Sequence, residues 1–108
     1  NSIPVKSIEI SDLLRRDPIE LDLSALRNLF EGTTVFVTGA GGSIGSEICR
    51  QLLAFPLDTL VLIERSEAAL FNIEVELRTM KKSCRIVNAL GDVTDEGRMR
   101  RLLEKYRP

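Results

Sequence analysis

Apolar and polar residues follow one another in blocks whose period switches repeatedly between that of a strand and that of a helix, and the switching predicts the elements. The β-branched and aromatic run 34–38 (TVFVT) reads as a first strand. Beyond it, Ile44, Ile48, Leu52 and Phe55 fall four, four and three residues apart. They form one apolar helix stripe that ends before Pro56, with Glu47 and Arg50 toward water. The run 59–63 (TLVLI) is apolar throughout between Asp58 and Glu64, the pattern of a parallel strand covered on both faces. Ser66 then caps a helix that buries Leu70, Ile73, Leu77 and Met80, keeps Glu67, Glu74, Glu76 and Arg78 outside, and ends at Lys81, Lys82 and Ser83. Residues 85–90 read as a third strand, and Thr94 caps a last helix that carries Met99, Leu102, Leu103 and Tyr106.

An arm, 1–32, precedes this unit. Residues 1–6 read as an extended lead-in, and Ser11 caps a short helical turn over 12–16 that Asp17 and Pro18 stop. A second helix over 24–31 places Leu26, Leu29 and Phe30 on one side, with Gly32 in the stop position. The arm is expected to pack on 33–108. With no initiating Met, the chain is expected to be a piece of something longer.

Composition narrows the function classes. The 108 residues are 44% hydrophobic and 29% charged, an ordinary globular balance, and 15 basic against 16 acidic residues give a net charge of −1. That balance offers no basic surface for nucleic acid or anionic lipid. Histidine is absent, which excludes His-based acid–base chemistry, a Ser-His-Asp triad and the usual zinc sites within this chain, and no metal residue is assigned. The two cysteines, Cys49 and Cys84, have no metal-ligand spacing, and a reduced cytoplasmic setting fits them. No signal peptide or membrane-spanning run is present in the sequence.

The chemistry concentrates in 34–47, TVFVTGAGGSIGSE, where Gly39, Gly42 and Gly45 sit between the first strand and the first helix. Such spacing suits a strand-to-helix turn that holds a dinucleotide pyrophosphate. Gly39 makes the turn, Gly42 lets the phosphates approach, and Gly45 lets the helix pack on its strand. The N–H groups near Ser43 and Ile44 then face the anion, favoured by the helix dipole. No Gly-Lys-Ser or Gly-Lys-Thr follows, which removes the P-loop reading. The order β-α-β-α-β-α with right-handed crossovers predicts an α/β fold, a parallel sheet ordered 3-2-1 that forms the N-terminal half of a Rossmann domain. The first strand's outer edge, lacking a fourth strand, invites a second copy, so a homo-oligomer is expected.

Glu64 stands about 25 residues beyond Gly39, where an acidic side chain accepts from the adenosine ribose hydroxyls and favours NAD. Arg65 and Ser66 follow directly and suit a 2′-phosphate, which keeps NADP open. Asp92 can accept from the adenine amino group with Val93 packing beside it, and the rival reading makes Asp92 a helix cap in a plain turn. Arg15 with Arg16, and the basic residues of the last helix, read as solvated charge and as complements to a helix C-terminus.

Residues 38–45 resemble the T-G-x-x-G-x-x-G signature of short-chain dehydrogenase/reductases, and 91–95 (GDVTD) resembles the G-D-V-x-D of their extended subgroup. With 10–14, 18–23, 39–51, 64–67 and the tail 105–108, nearly the whole chain is similar to capsular-polysaccharide-type nucleotide-sugar 4,6-dehydratases. That resemblance implies a parent enzyme acting on UDP-N-acetylhexosamines for surface glycans: hydride leaves C4, water is eliminated across C5 and C6, and hydride returns to C6. It places the catalytic residues outside this chain, so the chain alone is expected to be inactive. It also implies that the parent can carry membrane helices, with this domain on the cytoplasmic side. Two other readings stay open, a non-catalytic NAD(P)-sensing module and another extended-family member such as a sugar-nucleotide epimerase.

Overall fold

Strands β1 (Thr34–Thr38), β2 (Thr59–Glu64) and β3 (Arg85–Leu90) lie parallel in the order β1-β2-β3, each paired with its neighbour in sequence, with Thr34 opposite Thr59 and Thr59 opposite Arg85. The computed structural model describes residues 23–80 and 83–108. Among them, helices α1 (Leu23–Phe30), α2 (Ser43–Leu52), α3 (Glu67–Met80) and α4 (Glu96–Tyr106) complete a partial Rossmann-like α/β fold. The helical turn expected over 12–16, its cap Ser11, Arg15, Arg16, Lys81 and Lys82 lie outside the described residues.

The central strand explains the sandwich. Side chains alternate across a strand, so Leu60 and Leu62 enter one core with Val37, Leu52, Leu77 and Ile86, while Val61 and Ile63 enter a second with Ala89 and Leu102. All five residues 59–63 are buried, as a strand covered on both faces requires. Each large apolar side chain so buried stabilises the fold by about 1.5–3 kcal/mol relative to exposure. The ring of Phe36 meets Tyr106 edge-on at 6.4 Å and brings α4 to the second face. On the first face, Arg50 of α2 pairs with Glu76 of α3 and with Glu47, which ties the two helices together. The Arg50 guanidinium holds the Glu76 carboxyl below its usual range. At the arm, Phe30 is buried against Phe55 with ring centroids 5.2 Å apart, and Gly32 N–H donates to the Pro56 carbonyl at 2.9 Å.

Several sequence expectations about facing need correction. In α2 Gly45, Ser46, Cys49 and Leu52 are buried; of the expected stripe Leu52 lies in the core, Ile48 and Phe55 pack against it, Phe55 from past the helix end, and Ile44 alone is turned away, 49% exposed. At this end of the helix it is Gly45, with no room for a Cβ, that faces the turn, and its neighbour Ile44 points outward. Met80, expected in the core, is the last residue of α3 and is 49% exposed. Leu103 and Leu29 are likewise exposed, each beside the stripe that its neighbour Leu102 or Phe30 occupies. Glu47 and Arg50 are half-buried in their ion pair. Asp95, not Thr94, caps α4, its Oδ1 accepting from Arg98 N–H at 3.1 Å.

Cys49 is fully buried, and burial pushes its thiol from the ordinary 9.0 up to about 12. A thiol whose folded pKa is raised keeps its whole stabilising effect below the unfolded pKa and loses it as pH climbs toward the folded one. Urea unfolding should therefore show stability falling above pH 9 by up to ~1.4 kcal/mol per pH unit, a share that Cys49→Ala removes. Equal alkaline slopes in the two proteins would contradict this assignment.

Candidate functional site

The carboxyl ends of the three strands converge, and hydrogen bonds continue past the strands to join their loops. Ala40 N–H donates to the Ile63 carbonyl at 3.1 Å, and Gly91 N–H donates to the Glu64 carbonyl at 3.0 Å. The turn after β1, the end of β2 and the end of β3 are thus held at one edge. A cleft of about 190 Å³ opens there, lined by Gly39, Ile63, Glu64, Arg65, Gly91, Asp92 and Val93.

Gly39 adopts φ +63°, a left-handed conformation that an L side chain resists, and so turns the chain out of β1. Gly45 is required for a different reason. A Cβ there would lie 2.0 Å from the Gly39 carbonyl oxygen, so α2 can approach the turn only because the atom is missing. Gly42 is the N-cap of α2 in extended backbone, φ −77° and ψ 172°, and no side chain caps that end. A Cβ on Gly42 would touch only the Gly39 oxygen at 3.4 Å and otherwise project into open space. The first turn of a helix leaves N–H groups without helical partners, so Ser43, Ile44 and Gly45 present donors and a positive dipole end where an anion can sit.

Gly41 is the residue that the glycine pattern did not single out. A Cβ there would fall 2.6 Å from the Ala69 Cβ and 2.9 Å from the Ala69 carbonyl, so α3 and the turn touch at this point. Only the tertiary contact reveals it; the sole sequence signal was a fourth glycine inside the motif, with Ala rather than a larger residue at 69.

Glu64 is half-buried, and each of its carboxylate oxygens accepts a backbone N–H: Oε1 from Gly41 at 2.8 Å and Oε2 from Ser66 at 3.0 Å. Ser66 caps α3 as expected, its Oγ accepting from Ala69 N–H at 3.2 Å, which turns its side chain to the helix. Arg65 is exposed at the rim of the cleft. Asp92 Oδ1 accepts from Thr94 N–H at 2.9 Å, and that bond, with a weaker effect of the nearby Arg65 charge, holds its carboxyl below the usual range. Asp92 therefore shapes its own turn. It does not cap the helix, and it stays at the cleft with Val93, which is 51% exposed.

Of the residues singled out from sequence, the cleft brings together Gly39, Glu64, Arg65, Asp92 and Val93. Gly42, Ser43, Ile44 and Gly45 stand beside it at the start of α2, and Ser66 at the start of α3. Among the described residues no group of His, Cys, Asp and Glu could hold a metal ion, and no helix is long and apolar enough to cross a membrane.

Residues 35–108, which include this whole strand-end edge, match the family described as polysaccharide biosynthesis protein. The chain belongs to that family. It is 37% identical over 105 residues to the capsular polysaccharide biosynthesis protein CapD of Staphylococcus aureus, and 41% identical over 105 residues to the probable polysaccharide biosynthesis protein EpsC of Bacillus subtilis. Both alignments cover 96% of this chain, which spans 18% of the length of each relative. It is also 40% identical over 80 residues to an uncharacterized membrane protein of Methanocaldococcus jannaschii, covering 74% of this chain and 23% of that protein.

Proposed function

We propose that this chain forms the nucleotide end of a nicotinamide-dinucleotide site in an enzyme that dehydrates a nucleotide sugar for surface polysaccharide synthesis. The observation that carries the reading is the convergence at one strand-end cleft of the glycine turn, the acidic end of β2 and the Gly91–Asp92 turn. A dinucleotide fits the residues present. The open space at Gly42 and the uncapped start of α2 suit a pyrophosphate, bound by the N–H groups of Ser43, Ile44 and Gly45. Glu64 to Ser66 would flank the adenosine ribose, and Asp92 with Val93 the adenine, the carboxylate accepting from its amino group. Bound NAD or NADP would take hydride from C4 of the sugar and return it to C6 after water leaves across C5 and C6, as the resemblance to nucleotide-sugar 4,6-dehydratases implies. The residues of this chain bind and orient; those that move protons on the sugar are expected elsewhere in the protein. The polysaccharide biosynthesis proteins CapD and EpsC, to which the chain is similar, support the substrate class.

Calorimetric titration of the intact protein with NAD and with NADP tests the reading. One of them should bind with a dissociation constant on the order of micromolar, and Asp92→Ala should weaken it. Residues 1–108 by themselves should turn over no UDP-N-acetylglucosamine with either cofactor added. Absence of binding by both dinucleotides, or turnover by 1–108, would refute the proposal.

A further inference from the structure

Helix α3 is apolar on two sides, which a surface helix ordinarily is not. Leu70, Ile73 and Leu77 face the core, yet on the opposite side Phe71 is 62% and Val75 47% exposed. The charged residues of the helix do not cover them. Glu74 is drawn to one flank, where Arg78 Nε and Asn88 Nδ2 donate to its two carboxylate oxygens at 2.7 and 2.6 Å, and Arg78 also donates to the Ile86 carbonyl of β3. Glu76 is drawn to the other flank by Arg50 of α2. Between the flanks runs an uncharged, exposed crest of Ala68, Phe71, Asn72, Val75 and Thr79, whose last hydroxyl is turned back to donate to the Glu76 carbonyl. Ala68, Asn72, Val75 and Thr79 stand four, three and four residues apart, the period of a seam between two helices.

We infer that this crest is a contact surface for a second copy of the chain, two α3 helices packing antiparallel about a two-fold axis midway along the crest. Charge selects both the occupant and the direction. Exposed Glu67 at the start of the helix and half-exposed Arg78 near its end lie about three turns apart, hence on the same flank. Antiparallel pairing brings Glu67 of each copy toward Arg78 of the other, twice over, whereas parallel pairing sets each beside its own kind. The crest itself holds no charge that would meet its like across the axis. An anionic membrane is the poorer occupant, because the flanks carry Glu67, Glu74 and Glu76 against Arg78 and so lack the basic border of a helix that lies on lipid. One helix pair buries less than the roughly 800 Å² per partner of a stand-alone dimer, so the contact should hold with a dissociation constant on the order of tens of micromolar. None of this depends on the cofactor reading.

The test places cysteines at both ends of the crest of the intact protein, as Ala68→Cys, Thr79→Cys and the two together, and treats each variant at about 100 μM with a short bismaleimide. Both positions are exposed, so the fold should hold, and within one helix they stand about 16 Å apart, beyond the reach of the linker. The double variant should give several-fold more covalent dimer than either single variant or the unsubstituted protein, because position 68 of one copy meets position 79 of the other. Adding Phe71→Glu to the double variant should cut that dimer at least tenfold while the melting temperature stays within a few degrees, since the side chain replaced is already mostly in water. Equal dimer in the single variants would mean a parallel or random encounter and would overturn the inference, as would a dimer that Phe71→Glu leaves unchanged. If no dimer forms, the rate of labelling by a monofunctional maleimide says what stands in its place. Slow labelling gives the crest to another segment of the same protein, fast labelling leaves it bare, and labelling slowed only by anionic lipid vesicles gives it to a membrane; each of the three overturns the inference.

Discussion

Gly45→Ala should destabilise the domain by about 3 kcal/mol or more, at the upper end of what overpacking produces. The added Cβ would stand 2.0 Å from the Gly39 oxygen, 2.7 Å from the Gly39 carbonyl carbon and 3.1 Å from the Ala40 Cα. All three are main-chain atoms of the turn, so no rotamer change relieves the clash. Either α2 withdraws from β1 or the Gly39 turn opens, and in both cases buried Cys49 and Leu52 lose packing. Urea unfolding followed by circular dichroism should show a lower midpoint with little change in slope. Stability within about 0.5 kcal/mol of the parent would mean that α2 does not approach the turn as described.

Gly42→Asp should have the opposite signature, a fold that is kept and a ligand that is lost. At φ −77° and ψ 172° the backbone there suits any residue, and an added Cβ meets only one oxygen at 3.4 Å. Asp is also a favoured N-cap at a position where Gly42 supplies no capping side chain, so stability should hold or rise by up to about 1 kcal/mol. Yet the introduced carboxylate would bond the N–H groups of Ile44 or Gly45 and add negative charge where the pyrophosphate is proposed to sit. Affinity for NAD or NADP should fall roughly a hundredfold, about 2.7 kcal/mol. A Gly42→Asp protein that still titrates like the parent would remove the start of α2 from the site. Together the two substitutions separate a glycine needed by the fold from a glycine needed by a ligand, although the motif spaces them alike.

That separation also marks how far the sequence could be read. The strands were legible almost to the residue, because TVFVT, TLVLI and RIVNAL are short apolar or β-branched runs with polar limits. That Glu64 and Asp92 lie at one cleft was legible because Glu64 ends β2 and Asp92 lies just past β3, and parallel strands bring their carboxyl ends to one edge. Helix facing was less legible. In α2 the stripe was right for Ile48, Leu52 and Phe55 but not for Ile44, because at the start of the helix Gly45 meets the turn through a backbone contact that no hydropathy pattern encodes. Caps at close quarters were ambiguous for a similar reason. Asp92, Thr94 and Asp95 all have the chemistry, and the turn that Asp92 makes with Thr94 N–H leaves Asp95 to close α4. The double engagement of Glu64 was invisible, since it joins residues 23 positions apart to a neighbour two positions on.

The register of the sheet has a bearing on how the domain comes into being. Thr34 waits for Thr59, and Thr59 for Arg85, so every strand pairs with the next one made. Among the described strands no pairing has to be held open for a distant segment, which keeps the loop-closure entropy of each of these steps modest. During synthesis, β1, α2 and β2 can meet while α3 is still being added, and the Ala40–Ile63 hydrogen bond can then shape the glycine turn. On this order of events the turn at the start of α2 is assembled early, and the emergence of Glu64, Ser66 and Ala69 from the ribosome completes its contacts with α3.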